Sequence, residues 1–519
     1  MSKVITTRQA AELVRDGMTL AVGGFVGFGV PEELLIGLRR RYLETGAPKN
    51  LTLFHTAGVG DGKERGGNHL GLEGLLSTIY CAHIGLEPAL NKLTVSDAVA
   101  TYMVPQGVTA HLLRAIAGKK VGVLTHVGLK TFADPRIEGC KANNAARARK
   151  EEVVELLSVG GKEQLLYKSF PLDICFIKAS FGDLDGNLSL IKEGAYSDQL
   201  EMAAAVHNSG GIVIAQVEKI VERNTLRAQE VKVHGFMVDY IVQGEPENNV
   251  QCWLWPGYRP ECSGEVRVPA SAVAVEPLTP RKVCGRRAAF ELGPNMLVNL
   301  GIGIPDSVAS VAGEEGIAGS LTLSIESGIL GGVPLPGVGI GGSTNPVAIY
   351  KHPDIFDIYD GGGIDLSCLG AAQIDFKGNV NVSKFAGRVV GPGGFVNISQ
   401  NAKKVCFCGT FTAGKAEYAI KDGRLDILKD ADGIKFVRTV EQITFSGEYA
   451  AETNQPILYI TERAVFRLTA KGIMLVEIAP GVDLEKQILA KMEYKPLIAD
   501  DLKLMDARIF RDAPMGLAF

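Results

Sequence analysis

Short apolar runs alternate with amphipathic stretches along the whole chain. LAVGGF (20–25), NLTLFHTAG (50–58), GGIVIAQV (210–217), MLVNLGI (296–302), LTLSIE (321–326), KVCFCGTFT (404–412) and IMLVEIAP (473–480) read as strands. TRQAAELVRD (7–16), PEELLIGLRRRYLE (31–44), PQGVTAHLLRAIA (105–117), SDQLEMAAAVHN (197–208) and LEKQILAKM (484–492) carry the spacing of helices. Near-continuous apolar strands that alternate with helices predict α/β sheets covered on both faces.

Residues 244–280 interrupt this pattern with six Pro and both tryptophans of the chain. The segment reads as a connection between two halves. It is expected to be partly docked, because exposed Trp253 and Trp255 would be costly. The expected organisation is an N-terminal domain over 1–245, a Pro-rich linker over 246–280 and a C-terminal domain over 281–519.

The two halves resemble each other. DICFIKASFGDLDGNLSL (173–190) aligns without a gap on DLSCLGAAQIDFKGNVNV (365–382), matching Asp173 with Asp365, Ala179 with Ala371 and Gly186-Asn187 with Gly378-Asn379. AAELVRDGMTLAVGGFVGFGVPEE (10–33) resembles AAFELGPNMLVNLGIGIPDS (288–307), with Gly29-x-Pro31 on Gly303-x-Pro305. The chain reads as a diverged duplication of one α/β unit. The first copy carries roughly 80 extra residues between these landmarks. A cleft between two such copies is a favoured place for a ligand.

Composition narrows the classes. The 519 residues suffice for two to four domains. Hydrophobic content of 46% and charged content of 22% are those of a soluble globular protein. A net charge of −4 argues against a general nucleic-acid binder. The N-terminus reads as a charged helix rather than a signal peptide, and no apolar run of about 20 residues suggests a membrane span. Nine scattered cysteines without CxxC fit reduced, buried thiols and a cytoplasmic location. The eight His show no metal-ligand spacing, so no metal is expected.

One acid stands out. Glu326 enters a stretch, Ser327 to Tyr350, that contains no Asp, Glu, Lys, Arg or His, with seven Gly and three Pro among its 24 residues. A carboxylate there is either buried against a partner or chemically active. Low polarity would leave it poorly hydrated and more nucleophilic. DGMTLAVGGFVGFGVP (16–31), which contains Gly24, and NLGIGIP (299–305) are Gly turns between strand and helix. They serve either as tight turns only or as cradles of N–H groups for an anion or oxyanion. DGGGIDLSCLGAAQID (360–375) and VVGPGGFVNIS (389–399) are further candidate backbone walls for a bulky ligand, which places the expected pocket mainly in the second half. Residues 337–342 match GxGxxG by letter, but a Pro-rich loop precedes them and Pro346 follows, which is not the strand–turn–helix of a dinucleotide site. Nothing supports a kinase or a serine hydrolase.

These motifs, in this order, resemble family I CoA-transferases. Residues 16–31 are similar to the first-subunit signature. NLGIGIP and E-x-G-I-L-G are similar to second-subunit elements, and IAPGVDLEKQIL (478–489) to the C-terminal segment. Over essentially its whole length the chain resembles the fused, single-chain acetate or propionate (short-chain acyl) CoA-transferases. It departs from the usual Ser-Glu-Asn-Gly, having Ile325 before and Ser327 after Glu326.

The resemblance implies an α/β fold of two homologous open domains in pseudo-twofold relation, a unit shared with sugar-phosphate isomerases. It implies CoA transfer between a short-chain acyl-CoA and a free carboxylate, with Glu326 as covalent nucleophile. Gly301, Gly303, Gly393 and Gly394 become candidate oxyanion or CoA-binding donors, and Gln106 and Gly24 candidate pocket residues. Gln106 reads equally as an ordinary first residue of a helix. CoA would be a substrate, with no prosthetic group, no nucleic-acid partner and a homotetramer or homodimer as the assembly. The rival readings are an acyl-CoA hydrolase on the same fold, a ligand-sensing domain, and the transferase component of a lyase complex. Acetate, propionate, butyrate and lactate differ by contacts worth only about 1–3 kcal/mol, so the sequence leaves the acid pair open.

Overall fold

A computed structural model describes residues 3–269 and 275–519; part of the expected linker, 270–274, lies outside the described residues. Two compact units form, and they do not follow the halves of the chain. Unit 1 combines 1–268 with 325–357 and 386–397, whereas unit 2 combines 269–324, 358–385 and 398–519. The stretch that begins at Ile325, with Glu326, therefore packs with first-half elements. The boundary expected at 245 shifts as well, because Trp255 and Cys252 join Phe28, Ala195 and Cys262 in one apolar cluster of unit 1.

Unit 1 is built on seven parallel strands in the order Tyr240–Gln243, Ile212–Val221, Ile174–Asp183, Thr19–Val22, Leu51–His55, Leu76–Cys81 and Ala100–Met103. Most of their side chains are buried, which explains the unbroken apolar runs in the sequence. Unit 2 repeats the first five strands of this order. Thr322–Ile325, Leu297–Leu300, Leu366–Leu369, Val405–Cys408 and Ile457–Ile460 run parallel, and Ala464–Thr469 then returns antiparallel. The extra residues of the first copy supply the two outer strands beyond Leu51–His55 and a small antiparallel sheet of Gly122–Thr125, Val154–Val159 and Lys162–Lys168.

The duplication extends to single hydrogen bonds. Asp173 accepts the N–H of Thr19, and Asp365 accepts that of Leu297, both at 2.8 Å. Asp183 holds the backbone and side-chain amides of Asn187 at 3.0 and 2.9 Å, and Asp375 holds those of Asn379 at 3.1 and 2.9 Å. Thr19 is thus the counterpart of Leu297. Thr52 pairs with Thr19 and Thr322 with Leu297, so Glu326 occupies the position that Thr56 holds in the first copy, and Gly328 that of Gly58.

Expected and observed elements agree in kind, with two shortened helices. The first helix spans Thr7–Glu12, started by a capping box between Thr6 and Gln9. The last one is a turn, Leu484–Gln487, followed by a 3₁₀ turn at Leu489–Lys491. All nine cysteines are free and buried, and no helix among the described residues is long and apolar enough to cross a membrane.

Replacing Asp375 by Ala removes both acceptors of Asn379, which is itself buried. The expected loss is about 1–3 kcal/mol, read as a lower urea midpoint for unit 2, with Asp183→Ala doing the same to unit 1.

Candidate active site

Glu326 is the first residue beyond the strand Thr322–Ile325, on a turn closed by the Gly328 N–H donating to the Ile325 carbonyl at 3.0 Å. Tyr350 then donates its N–H to the Gly328 carbonyl at 2.7 Å. Gly328 has φ +110, and a Cβ there would lie 2.1 Å from the Tyr350 oxygen, so only glycine fits. Ser327 is buried and donates its hydroxyl to the Gly341 carbonyl at 2.7 Å, fastening the turn to the uncharged loop. The Ser at this position therefore holds the turn's shape. Desolvation pushes the Glu326 carboxyl above the usual range, opposed by its own backbone N–H.

His352 opens the helix His352–Asp360, whose first half belongs to unit 1. Charges seat that half on two first-half helices. Arg114 binds Asp354 and Asp357, and Lys351 binds Glu201 at 2.8 Å. The His352 ring is buried between the edges of Phe25 and Phe356. Its Nδ1 donates to Asp198 at 2.9 Å, and its Nε2 accepts from the Gln106 amide nitrogen at 2.8 Å. Asp198 is fully buried and also accepts the hydroxyl of Thr56. Thr56, Asp198, His352 and Gln106 form one buried polar chain.

Of the residues expected at the site, Gln106 falls within this chain. It starts the helix Gln106–Ala117, and its N–H donates to the Gly393 carbonyl at 3.0 Å. The next N–H, of Gly107, goes to the Asn397 side chain at 3.1 Å, so segment 386–397 caps this helix. Gly24 has φ +127 in the first Gly turn, where Phe25 and Phe28 exchange backbone hydrogen bonds at 2.9 Å. That turn has eight steps from Gly23 to Pro31, against four from Gly301 to Pro305. Its added residues include Phe25, against His352, and Phe28, beneath Gly342.

Three of the four expected backbone donors are already engaged. Gly301 donates to the Cys368 carbonyl at 2.8 Å, Gly303 to the Asp306 carboxylate at 3.3 Å and Gly393 to the Ala82 carbonyl at 2.9 Å. Gly301 thus continues the ladder to the neighbouring strand, as Gly23 does by donating to Phe176. Gly394 has no such bond among the described residues, which makes it the remaining candidate donor. Sequence reasoning missed Thr56, Asp198 and His352. The one available signal was that His352 follows closely on the long uncharged stretch.

Gly328→Ala is expected to cost more than about 2 kcal/mol, because the added methyl meets backbone and the φ is strained. A urea titration of unit 1 beside an activity assay checks it: both the midpoint and the activity should fall.

Comparison with known proteins fits this arrangement. The Coenzyme A transferase family model matches residues 4–244. The chain is 46% identical over 524 residues to a caffeate CoA-transferase of Acetobacterium woodii, covering 100% of this chain and 99% of that protein. It is 41% identical to the acetate CoA-transferase YdiF of Escherichia coli K12, covering 99% of this chain and 96% of that one. The crystal structure of the acyl-CoA transferase YdiF apoenzyme from Escherichia coli O157:H7 matches with TM-score 0.94 and 39% identity, covering 100% of this chain and 98% of that one. A YdiF structure described as a thioester complex with CoA matches equally well. The fused, full-length match of both copies leaves a single conclusion: this chain belongs to the coenzyme A transferase family.

Proposed function

We propose that the enzyme moves CoA between a short-chain acyl-CoA and a free carboxylate, with Glu326 as covalent nucleophile. The observation that carries this reading is a partly buried carboxylate, raised by desolvation, on a rigid turn at a strand end. The thioester complex described for the structural relative supports it.

The Glu326 carboxylate attacks the acyl-CoA carbonyl. A mixed anhydride forms and CoA thiolate departs. The thiolate then attacks the glutamyl carbonyl, forming a γ-glutamyl-CoA thioester and releasing the first acid as its carboxylate. The incoming carboxylate runs the two steps backwards and leaves as a new acyl-CoA. Bond types are exchanged without net hydrolysis, so no ATP is consumed, and the kinetics are ping-pong. Each addition passes through an oxyanion. A well-placed backbone N–H, with Gly394 the candidate, contributes about 10²–10³ in rate. Binding of the long CoA arm supplies energy to be used at the reacting carbonyl.

The acid pair is proposed as short-chain by likeness to the acetate enzyme. The caffeate relative favours a second reading, in which the acceptor is a larger aromatic acid. Exchange assays with one acyl-CoA donor against acetate, propionate, butyrate and caffeate separate the two. Release of free CoA without transfer to any acid would instead indicate a hydrolase.

Incubation with acyl-CoA alone should add the mass of CoA to the peptide containing Glu326. No adduct, or an adduct elsewhere, would overturn the assignment. Glu326→Ala should abolish transfer, and Glu326→Asp should slow it severely, because near-attack geometry tolerates little displacement. Only the ionised carboxylate is nucleophilic, and the folded pKa is raised. Adduct formation should therefore fall off on acidification at a higher pH than an ordinary glutamate would give, as read in a pH–rate profile of the first half-reaction.

A further inference from the structure

We propose that the buried Asp198–His352 pair is a positioning device that fixes which end of the Gln106 amide faces the ring and which faces the Gly393–Gly394 turn. The inference rests on the reading of Glu326 as the nucleophile and adds to it residues that orient a second candidate pocket side chain.

The argument starts from cost. Asp198 is fully buried, His352 is 1% exposed and Gln106 3%. A buried carboxylate costs several kcal/mol unless hydrogen bonds and an opposite partner offset it. Asp198 receives two donors, the Thr56 hydroxyl and His352 Nδ1–H. Those bonds decide the tautomer. With the proton held on Nδ1, Nε2 carries a lone pair and can only accept. The group within reach is Gln106, at 2.8 Å, which must turn its NH₂ end toward the ring. Its carbonyl oxygen is then directed to the side where Gly393 lies. One amide hydrogen is used by His352, and the other is the donor left to offer.

Among the described residues, the contact with His352 is the hydrogen bond that orients this amide. An amide is nearly symmetric in shape, and the Gln106 main-chain N–H is spent on Gly393. If the tautomer were lost, Nε2 would carry the proton, the amide would turn over, and an oxygen would replace the donor. The turned amide would present its other end to the Gly393–Gly394 turn, where the remaining candidate oxyanion donor lies, so the orientation bears on rate more than on acyl-CoA binding. The segments also converge for this purpose. Phe25, from the lengthened first turn, and Phe356 pack the ring on two sides and limit its rotation. The same chain ends at Thr56, the first-copy counterpart of Glu326.

The test uses the full-length protein and reads the rate of CoA-adduct formation on the Glu326 peptide in a single turnover, together with kcat and KM. Asp198→Asn should slow adduct formation by about 10- to 100-fold, with KM for acyl-CoA changed by less than about threefold. In a Gln106→Ala background the same substitution should add less than about twofold, because the two residues act in series. Should Asp198→Asn not fold, Thr56→Val provides the second arm. It removes one donor to the carboxylate, and its smaller effect should likewise vanish in Gln106→Ala. Full additivity in the double variant, or a loss confined to KM, would overturn the proposal. A wild-type enzyme that forms no adduct on Glu326 sinks the nucleophile reading and this inference together. A wild-type adduct with Asp198→Asn equally fast sinks this inference alone.

Discussion

The hydrogen bond from His352 to Asp198 is the constraint on which unit 1 turns. A carboxylate with no exposed surface is tolerable only when its partners are in place, and those partners come from distant parts of the chain. Residues near 56, 106, 198 and 352 must meet for the polar chain to close. Once closed, it anchors the start of the helix His352–Asp360, which the Arg114 and Lys351 ion pairs hold on the same side. The uncharged loop that carries Glu326 is tied at one end to this helix and at the other to the strand Thr322–Ile325. The turn at Glu326 is shaped within unit 1 by the Gly328 and Ser327 hydrogen bonds.

The two copies share their strand order and their aspartate-centred hydrogen bonds, yet they diverge at one strand end and at the Gly turn. The first copy has a threonine at the strand end and a longer Gly turn. The second has a glutamate and a short turn. Burial treats the two positions differently. Thr56 is a neutral hydroxyl and can be enclosed cheaply once bonded, whereas Glu326 carries a charge that desolvation raises in energy. Duplication followed by divergence thus leaves a threonine and a glutamate at the same place in the fold.

Much of this was legible in the chain itself. Apolar runs marked the parallel strands because both faces of such strands are covered, and the match of 173–190 with 365–382 marked the repeat. Glu326 stood out because its neighbours are uncharged, and Gln106 because the family resemblance made it a candidate pocket residue. Thr56, Asp198 and His352 did not stand out. Their residue types are common, and their separations of 142 and 154 residues carry no periodic signal. The engagement of Gly301 and Gly393 was hidden for another reason. Whether a backbone N–H is spent depends on the neighbouring strand or loop, here Cys368 and Ala82, which local sequence does not specify. The interleaved units escaped a reading that assumed each half folds by itself.

That interleaving bears on biosynthesis. The opening 268 residues leave the ribosome well before 325–357 and 386–397 exist to complete their unit. Until then the rings of Phe25 and Phe28 lack part of their cover, and the carboxylate of Asp198 lacks its imidazole. Contacts this distant along the chain close late and slowly. The nascent protein therefore passes through a stage with exposed apolar surface, during which chaperone capture competes with aggregation.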